Sequence, residues 1–285
     1  AGLALQRGED VVALGLDPAV LTALLERRTM FVGEGAPRLR LVFMYPEADF
    51  VTERTFVAYW AAARALAGVA HSVHAEESVH AAALAGQLGR PVSVQPTPVR
   101  LSPLPPPPPR SPFVVAALGA GRADKGFHLL PRIAEALRVC APEARLRVQA
   151  PAAGAGLGAV ERALRTMNNV TLLPADLAAD TYETELAGAH VLLLPYDRAR
   201  YAGRGSGVLV DARVGGRPYV CTADTALAAA EGAKLTAEDA PGFAAAIAAA
   251  MTGYEALLRT AQEQAVRFEA EMRNGALLRA LNCTP

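Results

Sequence analysis

Residues 196–216, YDRARYAGRGSGVLVDARVGG, join a short apolar run, Val191 to Pro195, to a helical-looking run, Val208 to Val214. The loop carries Tyr196, Asp197, Arg198, Arg200, Tyr201 and Arg204, and Ser206-Gly207 opens the helix. A helix start leaves backbone N–H groups without intrahelical partners and bears a partial positive charge, so it attracts anions, and Gly207 lets a ligand come close. Arginine forks in the loop suit phosphate. Asp211 lies just over one turn into the helix, where a carboxylate accepts hydrogen bonds from a ligand's hydroxyls. A solvated loop before an ordinary helix is the plain alternative.

Upstream, the same grammar begins with a strand, Phe113 to Leu118, a turn Gly119-Ala120-Gly121, then Arg122-Ala123-Asp124-Lys125-Gly126 and a helix from Phe127 to Val139. Strands are expected at Leu146 to Ala150 and Val170 to Leu173, with a helix at Ala159 to Thr166 between them. Asp180 with Glu183 predicts a capping box for the helix ending at Gly188. Downstream, Pro218 to Thr222 reads as a strand, followed only by helices: Thr225 to Glu231, Ala240 to Met251 and Tyr254 to Leu281. In a parallel sheet the loops after strands gather along one edge, so the Arg122–Lys125 turn and the 196–206 loop can face one ligand. Two cations, backbone donors and a carboxylate suit a diphosphate attached to a ribose. Arg122 paired with Asp124 on a solvated face is the competing reading. Gly119 and Gly121 do not complete a G-x-G-x-x-G fingerprint, which argues against a dinucleotide site.

The first part of the chain alternates in the same way. Strands are expected at Val11 to Leu14, Leu39 to Tyr45, Val69 to His74 and Val92 to Gln95. Between them lie helices Ala19 to Arg28, capped by Asp17 with Pro18 at its first position, Glu53 to Leu66, ended by Gly68, and Val79 to Leu88. Phe56, Tyr59, Trp60 and Ala63 form the core face of the second helix. Pro96, Pro98, Pro103 and Pro105 to Pro109 cannot pair in a sheet or propagate a helix, and mark a linker. The expected division is 1–98, linker 99–111, and 112–285.

With 52% hydrophobic residues, the 285-residue chain can build two cores. Lys+Arg 28 balances Asp+Glu 28, which provides no basic field for nucleic acid and makes any anion site local. Cys140, Cys221 and Cys283 are far apart, and His71, His74 and His80 lack metal-ligand spacing, which predicts buried thiols in a reducing cytoplasm and no metal. No apolar run reaches the length of a membrane span. The start at Ala1, with a strand pattern almost at once, reads as the middle of a domain.

GAGRADKGFHLLPRIAEAL resembles the G-R-x-x-x-K-G segment, and YDRARYAGRGSGVLVDARVGGRPYV the segment ending S-G-x-x-x-E-A-x-x-x-G-x-P-V, of bacterial-type GT-B glycosyltransferases of family 4 (group 1). HAEESVHAAALAGQLGRPVSVQPTPV is similar to the last strand-helix-strand of that family's N-terminal domain. The resemblance implies α/β architecture with two Rossmann-like parallel-sheet domains facing a cleft, the N-terminal, acceptor-side one incomplete in this chain. It implies that Arg122 and Lys125 hold the donor diphosphate together with Ser206, Gly207 and Val208. It further implies that Asp211 holds the ribose hydroxyls; from the loop itself, Tyr196 is expected to contact the nucleotide, and Tyr201 and Arg204 the sugar or phosphate. The family more often has Glu at the position of Asp211. Its paired-glutamate motif lacks the earlier glutamate here, where Gly203 and Arg204 stand, and its N-terminal glycine-rich loop has no match and would lie upstream of Ala1.

The implied activity is transfer of a sugar from a nucleotide-diphosphate sugar to a polysaccharide, lipid or other glycoconjugate, with retention and without a cofactor or metal. The partners expected are the nucleotide sugar and a glycan or lipid-linked acceptor, with peripheral membrane contact compatible with the latter and no nucleic acid. A sugar-nucleotide epimerase or phosphorylase of the same fold, or an inactive nucleotide-sugar-binding protein, are the rivals. No general base is assigned; Glu76, Glu77, His71 and His74 are candidates by position only.

Overall fold

The structure is a computed structural model that describes residues 8–44, 52–95, 104–105 and 109–273. The expected strand end at Tyr45, most of the proline-rich linker, the last helix beyond Arg273 and Cys283 lie outside the described residues. The chain divides into two compact units. One holds the described residues up to Gln95, with Gly203–Gly205 and the end of the last helix from Glu271; the other holds those from Leu104 to Ala202 and from Ser206 to Ala270.

The first unit runs β1 (Asp10–Leu14), α1 (Pro18–Glu26), β2 (Arg38–Phe43), α2 (Glu53–Val69), β3 (Ser72–Ala75), α3 (Ser78–Leu88) and β4 (Ser93–Val94). Its strands pair in parallel in the order β1-β2-β3-β4. Asp17 caps α1 by accepting from the Val20 N–H at 2.9 Å, and a cap of this kind contributes about 1 kcal/mol. Leu39, Leu41 and Phe43 of β2 pack with Tyr59, Trp60 and Ala63 of α2. Phe56 departs from the expected core face and is exposed. Gly68 does not end α2: the helix continues through Val69 and is capped by Ala70, because the Ala70 N–H still reaches the Leu66 carbonyl. The αL terminator is Gly89 of α3, at φ 65°. Arg40 is buried at 2% exposure, and Asp10 offsets its charge by accepting from Arg40 Nε at 2.6 Å and from Arg38 at 2.8 Å.

The second unit comprises β5 (Phe113–Ala117), α4 (Leu130–Cys140), β6 (Ala144–Gln149), α5 (Gly158–Arg165), β7 (Val170–Leu173), α6 (Ala179–Gly188) and β8 (Val191–Leu194). It continues with α7 (Gly207–Val214), β9 (Tyr219–Thr222), α8 (Ala226–Ala229), β10 (Lys234–Ala237), α9 (Ala240–Thr252) and, as far as Ala270, α10 (Tyr254–Arg273). The strands form one parallel sheet in the order β10-β9-β8-β5-β6-β7. Helices cover both faces: Ile133, Leu137, Phe243 and Ile247 pack with Val115, Leu146 and Leu193, while Leu209 and Leu227 pack with Leu192, Leu194 and Cys221. The strand order reverses direction between β5 and β8, and that is where such a sheet leaves a crevice at its carboxyl edge.

Three expectations are corrected here. β10 adds a strand in a region expected to be entirely helical, since Lys234–Ala237 is short and its register is set only by β9. The Asp180–Glu183 capping box does not form: α6 starts at Ala179 with Ala178 as its cap, so Asp180 already lies inside the first turn. Cys140 is exposed rather than buried, because it ends α4, whereas burial of Cys221 pushes its thiol up to about 12.

Candidate functional site

The loops after β5 and β8 leave adjacent strands at the point where the strand order reverses. After β5, the chain turns at Gly119, whose N–H donates to Gln149 Oε1 at 2.7 Å; Gln149 Nε2 in turn donates to the Ala175 carbonyl at 2.7 Å. A 3₁₀ turn, Ala123–Lys125, follows and ends at Gly126 with φ 71°. Gly126 sits directly against the Pro195 carbonyl at the end of β8, where a side chain has no room. The Asp197 N–H donates to the Asp124 carbonyl at 2.9 Å. The two loops are therefore joined by backbone.

Gly119 is the meeting point of the charged groups. A Cβ placed there would lie 2.6 Å from Lys125 Nζ and 3.0 Å from Val208 Cγ2, so glycine turn, lysine and the first turn of α7 are in contact. The ammonium also lies 5.7 Å from the centroid of the Tyr196 ring. Ser206 precedes α7 with extended backbone but does not cap it; its hydroxyl is directed to Tyr196 Oη at 3.4 Å. Ser206 thus supplies no side-chain cap to α7, and Gly207 is exposed at the start of the helix. A helix start next to a lysine favours an anion.

Arg122 is on the same turn, but its guanidinium is held by Asp124, with Nε at 2.9 Å from Oδ1 and Nη2 at 2.7 Å from Oδ2, and reaches Tyr201 Oη at 3.4 Å. The hydrogen bond to Asp124 is the main reason its pKa is raised. The pair is partly exposed, Arg122 at 44% and Asp124 at 21%, so solvent screening keeps its contribution to about 1 kcal/mol, less than the about 1.5–3 kcal/mol of a hydrogen bond to a charged ligand. The spacing is also short: Ala123 and Asp124 separate Arg122 from Lys125, one residue fewer than in G-R-x-x-x-K-G.

Tyr196 and Tyr201 form a buried floor, with ring centroids 4.5 Å apart, and burial is the main cause pushing the Tyr196 phenol well above its ordinary range. Thr222 donates to the Tyr196 carbonyl at 2.7 Å, and the Ala226 N–H to the Tyr201 carbonyl at 2.8 Å, fixing the loop from below. Val208 is buried, which leaves its backbone as the part suited to a ligand. Arg204 belongs with Gly203–Gly205 to the first unit.

Asp211 is half-buried on α7, and its Oδ2 accepts from the Tyr182 hydroxyl at 2.7 Å. Burial raises its carboxyl above the usual range, and the bond from Tyr182 opposes that shift. Both residues line a cavity of about 690 Å³ together with Leu104, Pro105, Asp180 and Glu183. Gln149 and Tyr182 were not among the expected site residues. Each reaches in from a neighbouring element and carries no motif of its own.

Among the candidates for a base in the first unit, burial and then repulsion from Glu77 push the Glu76 carboxyl up to about 7. Burial, and then the Arg40 charge, pull His74 down to about 4, while His71 is exposed. Glu77 is buried at the N-cap position of α3.

No protein-family model and no curated protein matches the chain. Solved structures do. Anabaena HepE in complex with UDP and glucose superposes with TM-score 0.70 at 15% identity over 96% of this chain and 78% of that one. The trehalose-6-phosphate synthase OtsA gives 0.71 at 14% over 99% and 74%, and the pneumococcal O-GlcNAc transferase GtfA, in complex with UDP and GlcNAc, 0.66 at 12% over 98% and 58%. Two parallel-sheet α/β units with this likeness give the chain the GT-B glycosyltransferase fold.

Proposed function

We propose that this protein is a glycosyltransferase that binds a nucleoside-diphosphate sugar in its second unit and transfers the sugar to a glycan or lipid-linked acceptor. The observation that carries this reading is the contact of Gly119, Lys125 and Val208, which sets a cation and the first turn of α7 around one glycine turn. When the bond from sugar to diphosphate breaks, charge develops on the departing phosphate. Donors already aimed there stabilise it without reorganisation. Arg122 joins them by exchanging Asp124 for phosphate, and Asp211 accepts from the ribose. HepE and GtfA, which share the fold, are complexed with UDP, and that supports a nucleoside diphosphate as the ligand. Retention of configuration follows from the resemblance to family 4.

Gly203 and Arg204, standing where that family has a glutamate, favour a second reading, a binding protein without turnover. Incubating the protein with UDP-, GDP- and ADP-sugars and a glycan acceptor mixture separates the two. Release of nucleoside diphosphate with a new glycoside supports the enzyme. Tight binding without release supports the second reading, and absence of binding overturns both.

A further inference from the structure

Asp211 is one methylene shorter than the glutamate usual at its position in the resembling family, and one of its two oxygens is already engaged. Tyr182 on α6 donates its hydroxyl to Oδ2 at 2.7 Å, across the groove between α6 and α7. Among the described residues, those lining the adjoining cavity of about 690 Å³ include Asp180, Glu183 and Asp211 and no Lys or Arg, while Arg217 donates from behind the wall to the Pro105 and Ala187 carbonyls. Such a cavity repels phosphate and accepts the neutral, hydroxyl-bearing end of a nucleotide. The Lys125 ammonium lies against Gly119 beside the first turn of α7, the helix that carries Asp211 one turn further on.

Resting on the reading that the second unit binds a nucleoside diphosphate, we propose that Tyr182 is a positioning residue that determines which ribose hydroxyl is read: by donating to Oδ2, it fixes the orientation of the Asp211 carboxylate and so which hydroxyl Oδ1 can accept from. The phenol is suited to this because burial, and then the Asp211 charge, keep its proton in place, so it acts as donor throughout the neutral range. The Tyr182 hydroxyl also stabilises the ionised form of Asp211, which burial disfavours.

The test uses calorimetric titration of the whole chain with whichever of UDP, GDP and ADP binds, and with its 2′-deoxy and 3′-deoxy forms. In the unaltered protein one deoxy form loses about tenfold or more in affinity, corresponding to about 1.4 kcal/mol, and the other less than about threefold. In Tyr182→Phe, which keeps the ring and its packing, the parent nucleotide binds more weakly and the two deoxy forms become equivalent. The acid limb of binding also moves to higher pH, because the bond favouring the carboxylate is gone. A residue serving only to fill space would change thermal stability and leave the ratio of the deoxy forms and the acid limb as they were; that result overturns the proposal. Equal loss from both deoxy forms in the unaltered protein overturns it too. If nucleoside diphosphates bind and depend on Lys125 while Tyr182→Phe changes nothing, only this inference fails. If none of the three binds, the reading of the site fails with it.

Discussion

The backbone of Asp197 is hydrogen-bonded to that of Asp124, N–H to carbonyl at 2.9 Å, and this bond fastens the loop after β8 to the turn after β5. Gly126 makes the bond attainable, since its φ of 71° and missing side chain let the turn lie on the Pro195 carbonyl. Gly126→Ala places an L side chain in the left-handed region, at about 1–2 kcal/mol, and forces the loops apart. Chemical denaturation should therefore show a loss of at least about 1 kcal/mol, and nucleoside diphosphate binding should fall with it. Unchanged stability would mean that the loops are held by other contacts.

On the proposed reading, Asp124 competes with phosphate for Arg122. Asp124→Asn keeps the backbone bond to Asp197 but weakens the bidentate hold on the guanidinium. Affinity for the diphosphate should rise by up to about fivefold, the factor corresponding to the under about 1 kcal/mol of an exposed pair. A fall in affinity would show that Asp124 positions Arg122 rather than occupying it.

The raised carboxyl of Asp211 yields opposite effects on binding and stability. The proposed ribose contact requires the carboxylate, so binding should weaken as pH falls through the raised pKa. The free fold behaves the other way: a carboxyl raised above its unfolded value stabilises most below the unfolded pKa, and that contribution is lost as pH rises through the folded one. Asp211→Asn should thus leave the free protein at least as stable at neutral pH, remove this pH dependence, and weaken nucleotide binding by about tenfold. Unaltered binding in the Asn variant would make Asp211 a helix-surface carboxylate.

Glu76 follows the same linkage in the first unit. Its contribution to stability is present below about 4.5 and lost as pH rises through about 7. Urea denaturation at several pH values should show stability declining across that window, and Glu76→Gln should flatten the decline. A decline that persists in the Gln variant would assign it to other groups.

The sequence revealed most of the framework because its strands are largely apolar runs ended by glycine or proline: β5, β7 and β8 stand out in this way, as does the Asp17-Pro18 start of α1. β10 was hidden because KLTA is short and half polar, and becomes a strand only through its pairing with β9. At the site, the meeting of the two loops followed from parallel order, which places successive strand ends along one edge. Gln149 and Tyr182 were not legible, since each acts through a single contact made by tertiary packing. The Arg122–Asp124 pair was foreseen as the alternative to phosphate binding, and the fold shows it formed.

Diphosphate binding at the contact of Gly119, Lys125 and α7, as proposed, is open to one paired titration. UDP, GDP or ADP, whichever binds, and the corresponding nucleoside are titrated into the unaltered protein and into Lys125→Ala. The account predicts that the diphosphate loses at least about tenfold in affinity while the nucleoside is held as before, because the lost charge-assisted bond reaches only the phosphates. Equal weakening of both ligands, or of neither, would contradict it.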